Sequence, residues 1–249
     1  MTILLLGDLT GRSRVALRML TFELENRGHE VLMLPTALIS NTLNLGRAAK
    51  ADTTDYLLES LATWEALGLS YDLVYIGYVT GLAQAEKLCE VADAARAKGI
   101  PVVVDPILGD NGRRYNSVTT EQAEAMARLI RHADVITPNL TEACLLAGQP
   151  YETADADALL DALRMGHVSV LITSAGDAVA GRDAQTGERF HIPFERVPGE
   201  HWGTGDRFCA LLLDGLTRKL PLAQAAKRAS DGVYAALSGK NPANPIDEV

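Results

Sequence analysis

Short apolar runs, several of them rich in β-branched residues, recur along this chain with amphipathic stretches between them, and that alternation narrows the folds open to it. Residues 3–6, 31–34, 73–76, 102–104, 135–136 and 168–172 read as strands, several followed by turn chemistry. Between them, residues 15–26, 54–67, 83–98, 120–132 and 156–165 carry the period of helices, with Thr119 or Thr120 and Gly99 as caps. The rhythm predicts an α/β fold: a mostly parallel central sheet with helices on both faces, joined by right-handed crossovers. Residues 176–198 break it, being turn-rich and polar, with a small antiparallel hairpin through 178–181 and 188–192 around Thr186-Gly187. Two more helices, roughly 206–216 and 222–237, close the pattern, and the tail 240–249 reads as loosely held.

At 249 residues, 47% apolar and 22% charged, the chain suits one large domain over 1–249 with a substantial core. No apolar run approaches bilayer length, and MTILLLGD has neither a basic leader nor a cleavage-like site. The expectation is a cytoplasmic protein with no membrane partner. A net charge of −9 with scattered Lys and Arg argues against a nucleic-acid footprint. Cys89, Cys144 and Cys209 lie far apart in apolar stretches and read as buried free thiols. His29 reads as a surface residue; Trp202 and His201 read as flanks of a bound ligand, or Trp202 as a packing residue, the reading favoured for it.

Ligands of open α/β sheets collect at the carboxyl ends of the strands. That rule picks out Asp8, Thr36, Tyr78, Asp105, Asn139 and Thr173-Ser174, which follow successive predicted strands. Asp105 and Asp110 flank a Pro- and Gly-bearing loop, and Asn139 precedes Glu142 by three residues. Oxygen ligands of this kind suit Mg2+. Gly203, Thr204, Gly205 and Asp206 stand directly ahead of an apolar helical run, where glycines and a helix dipole favour an anion and keep a carboxylate ionised. Cation site, anion hole and base are the parts that phosphoryl transfer needs. Each has a bland reading: Asp-Pro as a turn, and Asn139 with Glu142 as a capped helix start. Their coincidence at successive strand ends favours the chemical one. Residues 7–13 are no P-loop, since the glycine spacing is one short and Arg stands in place of Lys. Dinucleotide fingerprint, nucleophile elbow and metal-spaced histidines are all missing.

Four ordered segments, VDPILGDNGRRY, ADVITPNLTEACLLAG, VLITSAG and GTGDRFCALLLDG, resemble the motif set of pyridoxal kinases in the ribokinase-like superfamily. GHEVLMLPTALISN and IGYV are similar to that family's N-terminal half. The resemblance implies a ribokinase-like three-layer α/β/α sandwich, a homodimer, and ATP-dependent phosphorylation of the hydroxymethyl group of pyridoxal, with pyridoxine and pyridoxamine as further acceptors. It implies Asp206 as the general base and the amides of residues 203–206 as the anion hole. Asp105, Asn139 and Glu142 would organise Mg2+ and the ATP phosphates, partly through water. Thr137 and Thr173 would place a monovalent cation such as K+. Asp110, Tyr115 and Ser174 would line the phosphate channel, with residues 110–115 as a closing loop. Asp8, Thr36 and Tyr78 would face the substrate.

The departures fall in the substrate half. Gly7-Asp8 stands where the family has S-x-Q-S, and GRSRVAL replaces its G-x-V-G-N loop. Asp8 reads either as a contact to the ring hydroxyl or protonated ring nitrogen, or as a turn residue or helix cap. A hydroxymethylpyrimidine or hydroxymethylpyrimidine phosphate kinase of thiamine synthesis is the alternative inside the fold, with Arg12 or Arg14 as the nearby basic residue for a second phosphorylation. A non-catalytic vitamer-binding protein is the alternative outside it, and the intact set of motif residues counts against that reading.

Overall fold

A computed structural model of the protein describes residues 1–42, 47–199 and 201–239. The expected loose tail, 240–249, lies outside the described residues. The strands are β1 (Thr2–Thr10), β2 (Glu30–Ile39), β3 (Lys50–Asp52), β4 (Leu73–Ile76), β5 (Val102–Val104) and β6 (Gly109–Asp110). They continue as β7 (Arg113–Arg114), β8 (Val135–Ile136), β9 (Ser169–Ile172), β10 (Ala178–Arg182) and β11 (Arg189–Pro193). Helices are α1 (Leu17–Glu25), α2 (Thr54–Ala66), α3 (Leu82–Ala97) and α4 (Thr120–Leu129). After these come α5 (Leu140–Ala147), α6 (Ala156–Ala162), α7 (Thr204–Thr217) and α8 (Leu222–Leu237).

Nine strands form one sheet in the order β11-β10-β9-β8-β5-β4-β1-β2-β3. The block from β9 to β2 is parallel throughout, and antiparallel strands close both edges, β3 on β2 and the β10–β11 hairpin on β9. The hairpin falls where the sequence places it.

Period-two alternation explains why the central strands are apolar without interruption. Leu4, Leu6, Val74, Ile76, Val102, Val104, Ile136, Val170 and Ile172 pack into one core with α2 to α6. Their neighbours Ile3, Leu5, Leu73, Tyr75, Val103, Val135 and Leu171 pack into the other with α1, α7 and α8. Strands buried on both faces need apolar side chains at every position, and the helices make the outer two layers.

Four elements escape the periodicity reading. β3 is an exposed edge strand of three residues, Lys-Ala-Asp, too short and polar to show alternation. β6 and β7 form a second hairpin, in which Asn111 (φ 51°) and Gly112 (φ 74°) supply the two positive-φ positions of a type I′ turn. The Asn-Gly pair was the available signal. α5 is opened by Asn139 and Glu142 as a reciprocal capping box and ended by Gly148 in the left-handed region.

Side-chain expectations need correction in three places. His29 is not a surface residue: its ring is 7% exposed and lies 2.9 Å from Asp214 Oδ1. Asp214 is fully buried and also meets Arg218 and Arg228, because a carboxylate taken from water must be paired. Cys89 is half-buried on the flank of α3, whereas Cys144 and Cys209 are buried as expected. Trp202 is 37% exposed in the turn before α7, so it does not serve as a packing residue.

α1 and α7 are clamped by a buried ion pair, Arg207 Nε to Glu23 Oε1 at 2.8 Å, with both side chains 3% exposed or less. Glu23 also meets Arg27 through its other oxygen, so it is removal of Glu23 that strands a charge, the Arg207 guanidinium, in the core. Glu23→Ala is expected to destabilise the fold by about 3–5 kcal/mol in urea denaturation.

Candidate active site

The parallel strands end on one rim, and the sequence turns polar there because side chains past the last ladder bond lose the cover of both cores. Asp105 follows β5 and is 5% exposed. Its Oδ1 accepts from Thr137 Oγ1 at 2.9 Å and its Oδ2 from the Tyr75 hydroxyl at 3.1 Å. Thr137 Oγ1 also lies 3.4 Å from Cys209 Sγ on α7, which ties the β8 end to that helix. Glu142 is 3% exposed and accepts from Leu108 N at 3.0 Å and Asn139 N at 2.8 Å. Asn139 reaches across to Gly109 O at 2.8 Å, so the capping box also holds the 105–110 loop.

Gly203 sits in the left-handed region (φ 74°) as the N-cap of α7, with Thr204, Gly205 and Asp206 in the first turn. A Cβ at Gly203 would stand 3.0 Å from Arg14 O, so glycine is required both by its φ and by the close approach of the loop before α1. Asp206 is half-buried, and its Oδ2 accepts from Ala16 N at 2.8 Å. Ala16 adopts φ 51°, ψ −136°, a conformation that glycine fills readily and that costs alanine on the order of 1–3 kcal/mol.

Electrostatically the rim is a cluster of acids whose ionisation burial opposes. Burial, then the charge of Asp206, lifts Asp105 to about 6. Burial, then Asp206, lifts Asp8 to about 7 against its own backbone amide and Lys50. Glu142 is pushed well above the carboxylate range by burial and by Asp105. Asp206 is raised by burial and held back by the Ala16 amide, so burial outweighs the helix-start effect expected to keep it ionised. Acidic groups gathered this way suit a cation, and their oxygens already carry hydrogen bonds. Among the described residues no three His, Cys, Asp or Glu side chains converge as direct metal ligands. The hard oxygen donors of Asp105, Asn139 and Glu142 are of the type that suits Mg2+.

The remaining residues divide by what they touch. Ser174 Oγ accepts from Leu140 N at 3.2 Å, and Thr173 N donates to Pro138 O at 2.9 Å, joining the β8 and β9 ends. Asp110 is exposed and accepts from the Asn111 amide, while Tyr115 is half-buried against the α2–α6 core. Thr36 is fully buried and donates to Tyr78 O at 2.6 Å, so its hydroxyl ties β2 to the β4 end. The Tyr78 hydroxyl accepts from Gln122 Nε2 at 2.7 Å and Lys50 Nζ at 3.2 Å. Ala37, Ile39 and Tyr78, with Ala48 and Ile107 against them, form a small apolar cluster apart from the two cores. Lys50 and Ala16 escape the sequence reading. Lys50 sits on the unrecognised edge strand, and Ala16 acts through a backbone amide that no motif marks. Arg14, weighed above for a substrate phosphate, stacks over the Phe22 ring at 4.5 Å.

Fold and site together define a small-molecule kinase of ribokinase-like architecture. Residues 31–247 match the pfkB family of carbohydrate kinases, and the chain belongs to that family. It is 31% identical over 229 residues to the pyridoxine/pyridoxal/pyridoxamine kinase of Bordetella bronchiseptica, covering 84% of this chain and 79% of that protein. Pyridoxal kinase from Lactobacillus plantarum superposes with a TM-score of 0.84 at 31% identity, over 99% of this chain and 91% of that one. A Bacteroides thetaiotaomicron protein provisionally named phosphomethylpyrimidine kinase and solved with pyridoxal gives 0.83 at 29% identity, over 96% and 87%. The chain spans 54% of the length of a longer relative from Caenorhabditis elegans.

A carboxyl whose folded pKa is raised loses stability as pH climbs through that pKa, because the folded state resists ionisation. At Asp105 the penalty is fully present above pH 6 and absent below about pH 4. Asp105→Asn should therefore stabilise the metal-free protein by up to about 3 kcal/mol at neutral pH, with the gain vanishing as pH falls toward 4. Urea titrations in chelator at both pH values measure it.

Proposed function

We propose that the protein transfers the γ-phosphoryl group of ATP to the primary hydroxymethyl group of pyridoxal, with pyridoxine and pyridoxamine as further acceptors. The observation that carries the reading is Asp206 in the first turn of α7, fixed at one oxygen by Ala16 N and flanked by the glycine-lined amides of residues 203–205. Relatives named as kinases of these vitamers cover most of the chain.

A primary alcohol is too weak an acid for a carboxylate to ionise it before attack. Asp206 takes the proton as the oxygen–phosphorus bond forms. Oδ2 is engaged by Ala16, so Oδ1 receives it. Burial raises the basicity of Asp206, which suits this role. The amides at the α7 N-terminus hold the negative charge that develops on the transferring phosphoryl oxygens, aided by the helix dipole. Asp105, Asn139 and Glu142 would hold Mg2+ through water, and the ion supplies charge neutralisation for the phosphates. Asp110, Tyr115 and Ser174 would line the phosphate path, and Thr137 and Thr173 would meet a monovalent cation. On the substrate side, the apolar patch of Ala37, Ile39, Tyr78 and Ile107 offers a ring-sized surface. Asp8 supplies a carboxyl for the ring nitrogen or hydroxyl, with Thr36 bracing Tyr78 behind it.

A second reading, hydroxymethylpyrimidine kinase, is favoured by the provisional name of the Bacteroides protein, although that structure contains pyridoxal. Both rings present a hydroxymethyl group to the same base. Steady-state assays with the vitamers and the pyrimidine separate them, and the proposal expects the highest kcat/KM for a vitamer. Asp206→Asn should cut kcat by about 10²–10⁴-fold while calorimetry finds ATP affinity unchanged. An equal loss of ATP affinity would remove Asp206 from the role of base.

A further inference from the structure

We propose that Ala16 is a positioning residue for the proposed base, acting through its backbone amide. The inference rests on the assignment of Asp206 above. Ala16 N donates to Asp206 Oδ2 at 2.8 Å across 190 residues of sequence, and among the described residues it is the hydrogen bond that fixes this carboxylate. The amide can point there because Ala16 is held at φ 51°, ψ −136°, where an L side chain is strained. Strain in a short loop persists only where the surroundings over-determine it, and it concentrates at working sites.

Two further contacts supply that over-determination. The loop carrying Ala16 lies so close to the α7 turn that a single Cβ on Gly203 would meet Arg14 O at 3.0 Å, the Met19 methyl at 3.3 Å and Val15 Cγ1 at 3.5 Å. One residue past Asp206, Arg207 is locked to Glu23 of α1. The loop before α1 and the first turn of α7 therefore form one unit, with glycine permitting the approach on one side and a strained alanine turning its N–H on the other. Charges around Asp206 come from Asp8 on β1 and Asp105 after β5, both anionic when ionised. Neither offers a donor; Tyr75 and Cys209 also feel the charge of Asp206, but the Tyr75 hydroxyl donates to Asp105 and the Cys209 thiol lies against Thr137, so among the described residues the Ala16 amide is the donor that sets the rotamer. The consequence is kinetic: losing the N–H should misplace the base while leaving the binding of ATP untouched.

The test replaces Ala16 by lactic acid, its α-hydroxy analogue, through nonsense suppression, which exchanges one N–H for an ester oxygen and keeps the methyl group. With the best acceptor from the vitamer panel, kcat should fall about 10- to 100-fold with KM for Mg-ATP and the thermal midpoint held. In an Asp206→Asn background the same replacement should cause no further loss, as expected for groups acting as one unit. Wild-type kcat for the ester variant, or parallel losses in KM for ATP and thermal midpoint, would overturn the proposal. An active Asp206→Asn protein would instead overturn the base assignment, so the two failures are distinct. Should the ester protein not fold, NMR of 15N-alanine-labelled protein decides: the Ala16 amide proton should move upfield in Asp206→Asn, and an unmoved resonance contradicts the contact.

Discussion

Burial of a parallel sheet on both faces is the constraint on which the rest of this structure depends. Every position of the central strands faces one of two apolar cores, so polar chemistry is expelled to the strand ends. Asp105, Thr137, Asn139 and Thr173 stand just past such an end, whereas Asp8, expected to follow β1, lies inside it at the point where the ladder to β2 shifts register and runs on to Thr10. The crossover helices then deliver α5 and α7 to the same rim, each with its N-terminus at the site. A cluster of acids and two helix starts is thus a result of topology as well as of residue choice.

Bringing these acids together is costly, and the hydrogen bonds show how the cost is met. Asp105 has Thr137 and Tyr75, Glu142 has two backbone amides, and Asp206 has Ala16. Burial first, and mutual repulsion after it, keeps Asp8, Asp105 and Glu142 above ordinary carboxylate behaviour. Such a site is poised for a cation and for an anionic phosphate group brought with it. The capping box of Asn139 and Glu142 illustrates that structural and chemical readings of a motif need not compete. The same two side chains start a helix, hold the 105–110 loop and place a buried carboxylate beside Asp105.

Much of this was legible in the sequence, for identifiable reasons. Apolar runs at 73–76, 102–104 and 135–136 match the strands residue for residue, because two-sided burial leaves no polar interruption to blur their limits. The GTGD turn and the strand-end residues were legible because glycine and carboxylate carry their physics in their identity. Lys50 was not, since its edge strand pairs through backbone alone and shows no periodicity. Ala16 was not, since its contribution is a dihedral angle and an amide, neither of which its side chain announces. His29 was misread because a single histidine gives no sign of Asp214, its partner 185 residues away.

The proposed activity turns on which oxygen receives phosphate. The most direct measurement is 31P NMR, with coupling to protons, of the product formed from pyridoxal and ATP. Transfer to the hydroxymethyl group gives a phosphomonoester resonance split into a triplet by two methylene protons, formed with one equivalent of ADP. ADP formation without a new phosphoester, or a phosphoester resonance lacking methylene coupling, would contradict it.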